Sequence, residues 1–162
     1  MFTRRRTSAE AMLIEGGAEG GAGGAAPAEA SEAAERPGPA AGPCILLVED
    51  DFLVGMEMET GLEAAGYEVA GVAATAEEAI ALAAARRPAL AVMDIRLAGD
   101  RDGVEAAVEI FRSFGIRSIF ASAHGDAQVR ARAEAARPLA WVAKPYRLET
   151  LLKAVEDALR GM

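Results

Sequence analysis

The chain has 162 residues, 52% of them hydrophobic, and a formal net charge of −8. That length suits one ordinary domain with a sizeable core, and the acidic balance argues against nucleic acid as the main partner, since DNA affinity depends on neutralising phosphates with Lys and Arg. The single cysteine, Cys44, excludes an internal disulfide or a cysteine-based zinc site.

No run approaches the roughly 18 apolar residues of a membrane span. Arg4, Arg5 and Arg6 are followed only by the short apolar stretch Ala11–Ile14, too brief for a secretory signal, so a soluble cytoplasmic protein is expected. Ala, Gly and Pro make up 24 of the first 43 residues, and no large apolar side chain occurs from Glu15 to Pro43. Such a segment cannot bury enough surface to offset its ordering entropy, so residues 1–43 read as a disordered tail, with a brief helix around Ser8–Ile14 as an option. The tail reads as a dispensable extension or an overextended start, with a specific docking element as the alternative.

The folded part begins at residue 44. Cys44–Val48 is a continuous apolar run ending in acids, which reads as a strand buried on both faces; Cys44 at its head reads as a buried, inert thiol. A helix is expected over about 51–65, with Val54, Met58 and Leu62 on one face and Gly66 as its stop. Tyr67–Ala73 reads as a second strand. Thr75-Ala76-Glu77-Glu78 forms a capping box that opens a helix ending near Arg87, before Pro88. Ala89–Asp94 reads as the third strand and is followed by a loop to about Gly103. A helix over Val104–Phe114, ended by Gly115, a strand over Ile116–Ala121 and a helix over Ala127–Ala136 come next. Leu139–Ala143 reads as the fifth strand, and the last helix, Leu148–Arg160, carries Leu148, Leu151, Leu152, Val155 and Leu159 on one face. Repeated strand-then-helix units imply an α/β fold whose parallel sheet is covered on both faces. In such sheets sites form outside the carboxyl ends of the strands.

Those ends carry Glu49-Asp50-Asp51, Asp94, Ser122-Ala123 and Lys144-Pro145. Taken singly, the acids could serve a helix dipole, Asp94 a turn and Ser122 a cap. Lys144 stands out because the chain has 15 Arg and only 2 Lys, which suggests a need for a compact ammonium. Clustered carboxylates repel one another and call for a cation, and oxygen-only ligands favour Mg²⁺. A carboxylate beside Mg²⁺, a hydroxyl and a Lys is equipped for phosphoryl transfer.

Leu46-Leu47-Val48-Glu49-Asp50, Val92-Met93-Asp94-Ile95, Ala121-Ser122-Ala123 and Lys144-Pro145-Tyr146 together resemble the signature of response-regulator receiver domains across residues 44–162. The resemblance implies a doubly wound, flavodoxin-like sheet in the order 2-1-3-4-5. It makes Asp94 the phosphorylated residue, accepting from a histidine kinase or histidine phosphotransfer protein. Asp50, Asp94 and the Arg96 backbone carbonyl would bind Mg²⁺, with Glu49 assisting through water. Ser122 and Lys144 would contact the phosphoryl group, and the Lys144–Pro145 bond is expected to be cis. Ser122 and Trp141 stand at the family's switch positions. Trp141 replaces the usual Tyr or Phe, and a Trp packed on the sheet edge is the alternative. Arg96 and His124 stand where dephosphorylation is modulated, although His124 would serve equally as a solvent-exposed loop residue.

The loop 95–102 is one residue longer than the common pattern and has Ala98 where Pro is usual. In this it resembles receivers that work with HWE-type histidine kinases. The expected protein is a single-domain regulator and not an enzyme, acting on an unknown downstream protein or as a homodimer. No direct DNA binding is expected, since the tail cannot supply a helix-turn-helix. A phosphorylation-independent module and a phosphate sink for a shared kinase are the alternatives. A haloacid-dehalogenase-type phosphatase is disfavoured because Arg96 replaces its second Asp.

Overall fold

Burial on both sides explains why Ile45–Val48 is apolar at every position of the strand β1 (Cys44–Val48), which lies next to the centre of a parallel sheet; Cys44 at its head, expected to be buried, is only half-buried. The computed structural model describes residues 42–123 and 127–162. In chain order these form β1, α1 (Phe52–Ala64), β2 (Glu68–Ala73), α2 (Ala76–Arg86), β3 (Leu90–Asp94) and α3 (Gly103–Phe114). They continue through β4 (Arg117–Ser122), α4 (Ala127–Ala133), a 3-10 turn (Glu134–Ala136), β5 (Ala140–Ala143) and α5 (Leu148–Arg160). The five strands lie in the order β2-β1-β3-β4-β5, all parallel, as expected for a doubly wound sheet. The tail, residues 1–41, and His124 lie outside the described residues.

Alternation of side chains along each strand splits the core into two layers. Leu46, Val48, Ala91, Met93 and Phe120 face Ala79 and Ala83 of α2, Ala107 and Ile110 of α3, and Ala133 of α4. Ile45, Leu47, Val92, Ile119 and Val142 face Met58 and Leu62 of α1 and Leu151 and Val155 of α5. Alanine-rich α2 presents small side chains, Ala79 and Ala83, to the first layer, and α1 and α5 present the larger Met58, Leu62, Leu151 and Val155 to the second.

Helix ends differ from expectation in three details. The Thr75 hydroxyl accepts from the Glu78 amide at 3.2 Å, but the Glu78 carboxylate accepts from Ala74 N–H at 2.8 Å rather than from the cap residue itself. A full capping box occurs instead at α3, where Asp102 accepts from Glu105 N–H at 2.9 Å and Glu105 accepts from Asp102 N–H at 3.0 Å. The expected helix over Ala127–Ala136 tightens into a 3-10 turn after Ala133. Two helical segments end on left-handed arginines, Arg87 (φ 48°) and Arg137 (φ 50°), where Gly115 (φ 73°) ends α3 with no side chain to strain. A side chain in this region costs about 1–2 kcal/mol. Arg117 Nε–H secures one of these ends by donating to the Arg137 carbonyl at 2.8 Å.

Candidate functional site

Parallel pairing brings four strand ends to one edge. β1 and β3 are in register from Ile45 with Leu90 to Val48 with Met93, so Glu49 and Asp94 emerge side by side. β4 pairs Ala121 opposite Asp94, and β5 pairs Ala143 opposite Ser122, which brings Lys144 to the same edge. Glu49, Asp94 and Ser122 are buried and Asp50 is exposed.

Lys144 Nζ donates to Glu49 Oε2 at 2.7 Å and to Asp94 Oδ2 at 2.8 Å. Its peptide bond to Pro145 is cis. The second oxygens are held by backbone: Asp51 N–H donates to Glu49 Oε1 at 3.4 Å, and Arg96 N–H to Asp94 Oδ1 at 3.3 Å. Burial pushes the Glu49 carboxyl pKa up, opposed by the Lys144 hydrogen bond, with the neighbouring Asp94 charge raising it further. Burial alone would lower the Lys144 pKa, but its hydrogen bonds to Asp94 and Glu49 outweigh this and leave it raised. The ammonium therefore stays charged and partly neutralises the acids. One carboxylate oxygen from each of Glu49, Asp50 and Asp94 lies within 4.8 Å of the others. That all-oxygen donor set fits a hard divalent ion such as Mg²⁺.

Asp94, Arg96, Ser122, Ala123, Val129 and Lys144 line a cavity of about 320 Å³ above the acids, with room for a small anion. Asp51 does not join the cluster: it caps α1, accepting from Leu53 N–H at 2.9 Å and Val54 N–H at 3.2 Å. The three consecutive acids thus divide between a helix cap and the site. Trp141 lies on β5, half-buried, its ring stacked on Phe120 with centroids 4.7 Å apart, and the Arg130 guanidinium lies 4.6 Å from its centroid.

Two residues shape the site without having been singled out by their chemistry. Ala98 N–H donates to the Ala74 carbonyl at 3.1 Å, pinning the long β3–α3 loop to the end of β2; proline there would lack the donor. Gly103 lets α3 start against the end of β3, since an added Cβ would fall 1.8 Å from the Asp94 carbonyl oxygen. The only sequence signal for either is a loop that departs from the usual pattern and a glycine beside a cap residue.

The family model of the response regulator receiver domain matches residues 45–156, which take in every strand except Cys44 at the start of β1. The chain belongs to this family. The receiver is 32% identical over 115 residues to the transcriptional regulatory protein PdtaR of Mycobacterium tuberculosis, covering 71% of this chain and 56% of that one. It is also 32% identical over 116 residues to the phyllosphere-induced regulator PhyR of Methylorubrum extorquens, covering 71% of this chain and 43% of PhyR. The match thus spans about half the length of these curated relatives. Among solved structures, the signal receiver domain of a modulated diguanylate cyclase from Desulfovibrio desulfuricans G20 superposes with a TM-score of 0.68 at 35% identity, over 74% of this chain and 95% of that one. Among the described residues no helix is long and apolar enough to cross a membrane.

Proposed function

We propose that this receiver accepts a phosphoryl group on Asp94 from a histidine kinase or histidine phosphotransfer protein in the cytoplasm, and signals through the resulting change in its surface. The observation that carries the reading is the Lys144 ammonium bridging the Glu49 and Asp94 carboxylates at 2.7 and 2.8 Å beneath an anion-sized cavity. An Asp alone is a weak nucleophile. Here Lys144 and the Arg96 N–H hold the Asp94 carboxylate in one orientation, and Lys144 and Ser122 offer donors to oxygens of the incoming group.

Asp50 and Asp94, with the Arg96 backbone carbonyl and Glu49 acting through water, would hold Mg²⁺, which supplies charge neutralisation for the transferring group. The phosphodonor also needs a surface to land on. Phe52, Leu53 and Met56, on the exposed first turns of α1 just after Asp50, offer an apolar one. Arg96, which lines the cavity, is positioned to tune the lifetime of the phosphorylated state; the same role for His124 rests on its place in the sequence.

The test is acetyl phosphate with Mg²⁺ read by intact mass. One phosphoryl group, about 80 Da, is expected on the wild type and none on Asp94→Asn. Unchanged uptake by the variant would remove Asp94 from the role. In thermal melts Mg²⁺ should raise the wild-type midpoint, and Asp50→Ala should abolish that shift.

A further inference from the structure

The pole of the sheet opposite Asp94 gathers arginines. Arg87 follows α2, Arg112 lies in the last turn of α3, Arg117 opens β4, and Arg137 follows the 3-10 turn. Parallel topology puts all four at strand amino ends and helix carboxyl ends, away from the acidic site. Arg86, Arg101, Arg132 and Arg160 each pair with carboxylates, whereas among the described residues none of these four does.

Two of the four are held in an unusual way. Arg87 and Arg137 are the only non-glycine residues with positive φ among the described residues, and each precedes a proline. Each lies over a phenylalanine of α3: the Arg87 guanidinium is 4.7 Å from the Phe114 centroid and that of Arg137 is 5.9 Å from the Phe111 centroid. Phe111 and Phe114 are three residues apart on one helix, so the two guanidiniums sit over adjacent rings. Glycine would take both backbone positions without strain, as Gly115 does. Arginine there orders two cations whose faces rest on rings and whose N–H edges have no partner among the described residues. Exposed Arg112 lines the neighbouring groove between α3 and α4 with Arg132.

We propose that this pole docks a short acidic segment of a partner protein, with Arg87 and Arg137 each taking a carboxylate through the guanidinium fork and Arg112 and Arg117 flanking them. The planar fork matches a carboxylate in two parallel hydrogen bonds. Single-stranded nucleic acid fits less well, because it binds by stacking bases on aromatic faces, and the guanidiniums already cover these. A long polyanion also meets the net charge of −8, whereas a few carboxylates interact locally, within a Debye length of about 8 Å. The inference does not depend on phosphorylation of Asp94.

Fluorescence anisotropy of labelled hexaglutamate, titrated with the full chain at about 0.05 M ionic strength, tests it, with hexauridylate as the competing probe. The double variant Arg87→Gly/Arg137→Gly removes both forks and relieves both left-handed backbones, so its melting temperature serves as a check that it folds. Hexaglutamate should bind the wild type, and bind the double variant about tenfold or more weakly. Arg87→Lys/Arg137→Lys, which keeps the charge without the fork, should also lose affinity and covers the case in which the glycine variant fails to fold. Absence of hexaglutamate binding, equal binding by the variants, or tighter binding of hexauridylate than of hexaglutamate would each overturn the proposal.

Discussion

Lys144 decides the electrostatics of the site because it is the one ammonium beside two carboxylates that are largely withdrawn from water. Its pKa is raised in the folded protein, so its stabilising contribution is complete below about 10.5 and is lost as pH rises through the folded value. Glu49 runs the other way: its folded pKa is also raised, so ionisation costs stability as pH climbs from about 4.5 through the folded value. Lys144→Met removes the ammonium and leaves two buried acids facing each other. We expect it to destabilise the domain by about 2 kcal/mol near pH 8, the side chain being only partly exposed, and by less at pH 5, because the raised Glu49 pKa favours protonation that relieves the repulsion as pH falls. Urea melts at the two pH values check this; an equal loss at both would mean that packing, not charge, explains the effect. The identities of Glu49, Asp94, Ser122 and Lys144 were legible in the sequence because each ends an apolar run, and runs in a parallel sheet end on one edge. The Ala98–Ala74 bond and the Trp141–Phe120 stack were not, because one joins two separate loops and the other is a cross-strand pair set by the register of β4 against β5, and no local pattern encodes either.

At the scale of elements, α3 is anchored at its start by a full capping box and by an ion pair to the next helix. Asp102 closes its capping box and also pairs with Arg132 of α4 at 2.7 Å, so one side chain ties the end of the β3–α3 loop to the next helix. Asp102→Ala should cost about 1–2 kcal/mol, mostly from the lost cap, since the ion pair is partly exposed. Asp102→Asn should restore most of this by keeping the cap, and chemical denaturation of the three proteins separates the contributions. Equal losses in both variants would give the ion pair the larger share. The order and type of elements could be read from sequence because the apolar period changes at every junction. Strand limits moved by a residue at several ends, and the late tightening of α4 was invisible because Ala133–Ala136 suits either helix form. The capping box was expected where Thr precedes Glu by three residues; the same spacing at Asp102 and Glu105 carried equal information and marks α3 more completely.

Across the whole molecule, the proposed phosphate-gripping residues Ser122 and Lys144 lie at the ends of the strands that carry Phe120 and Trp141. If phosphorylation of Asp94 shifts Ser122, the stacked pair is the nearest large aromatic structure to respond. A phosphate analogue such as beryllofluoride should therefore change Trp141 fluorescence, and Ser122→Ala should blunt the change. Analogue binding without a change in emission or in amide exchange over residues 127–155 would move the switch to the loop at 95–102. The bond between Glu49 and Lys144 has a further consequence, because it closes over a sequence separation of 95 residues and joins the first strand to the segment following the last. No local hairpin or single strand–helix unit contains Asp94, Glu49 and Lys144 together. A chain emerging from the ribosome can pair β1, β2 and β3 and still present Asp94 without its cation. If Asp94 is the acceptor proposed above, its competence depends on the segment after β5 reaching back to β1 and β3, and a chain that has not docked β5 would hold Asp94 without the Lys144 ammonium.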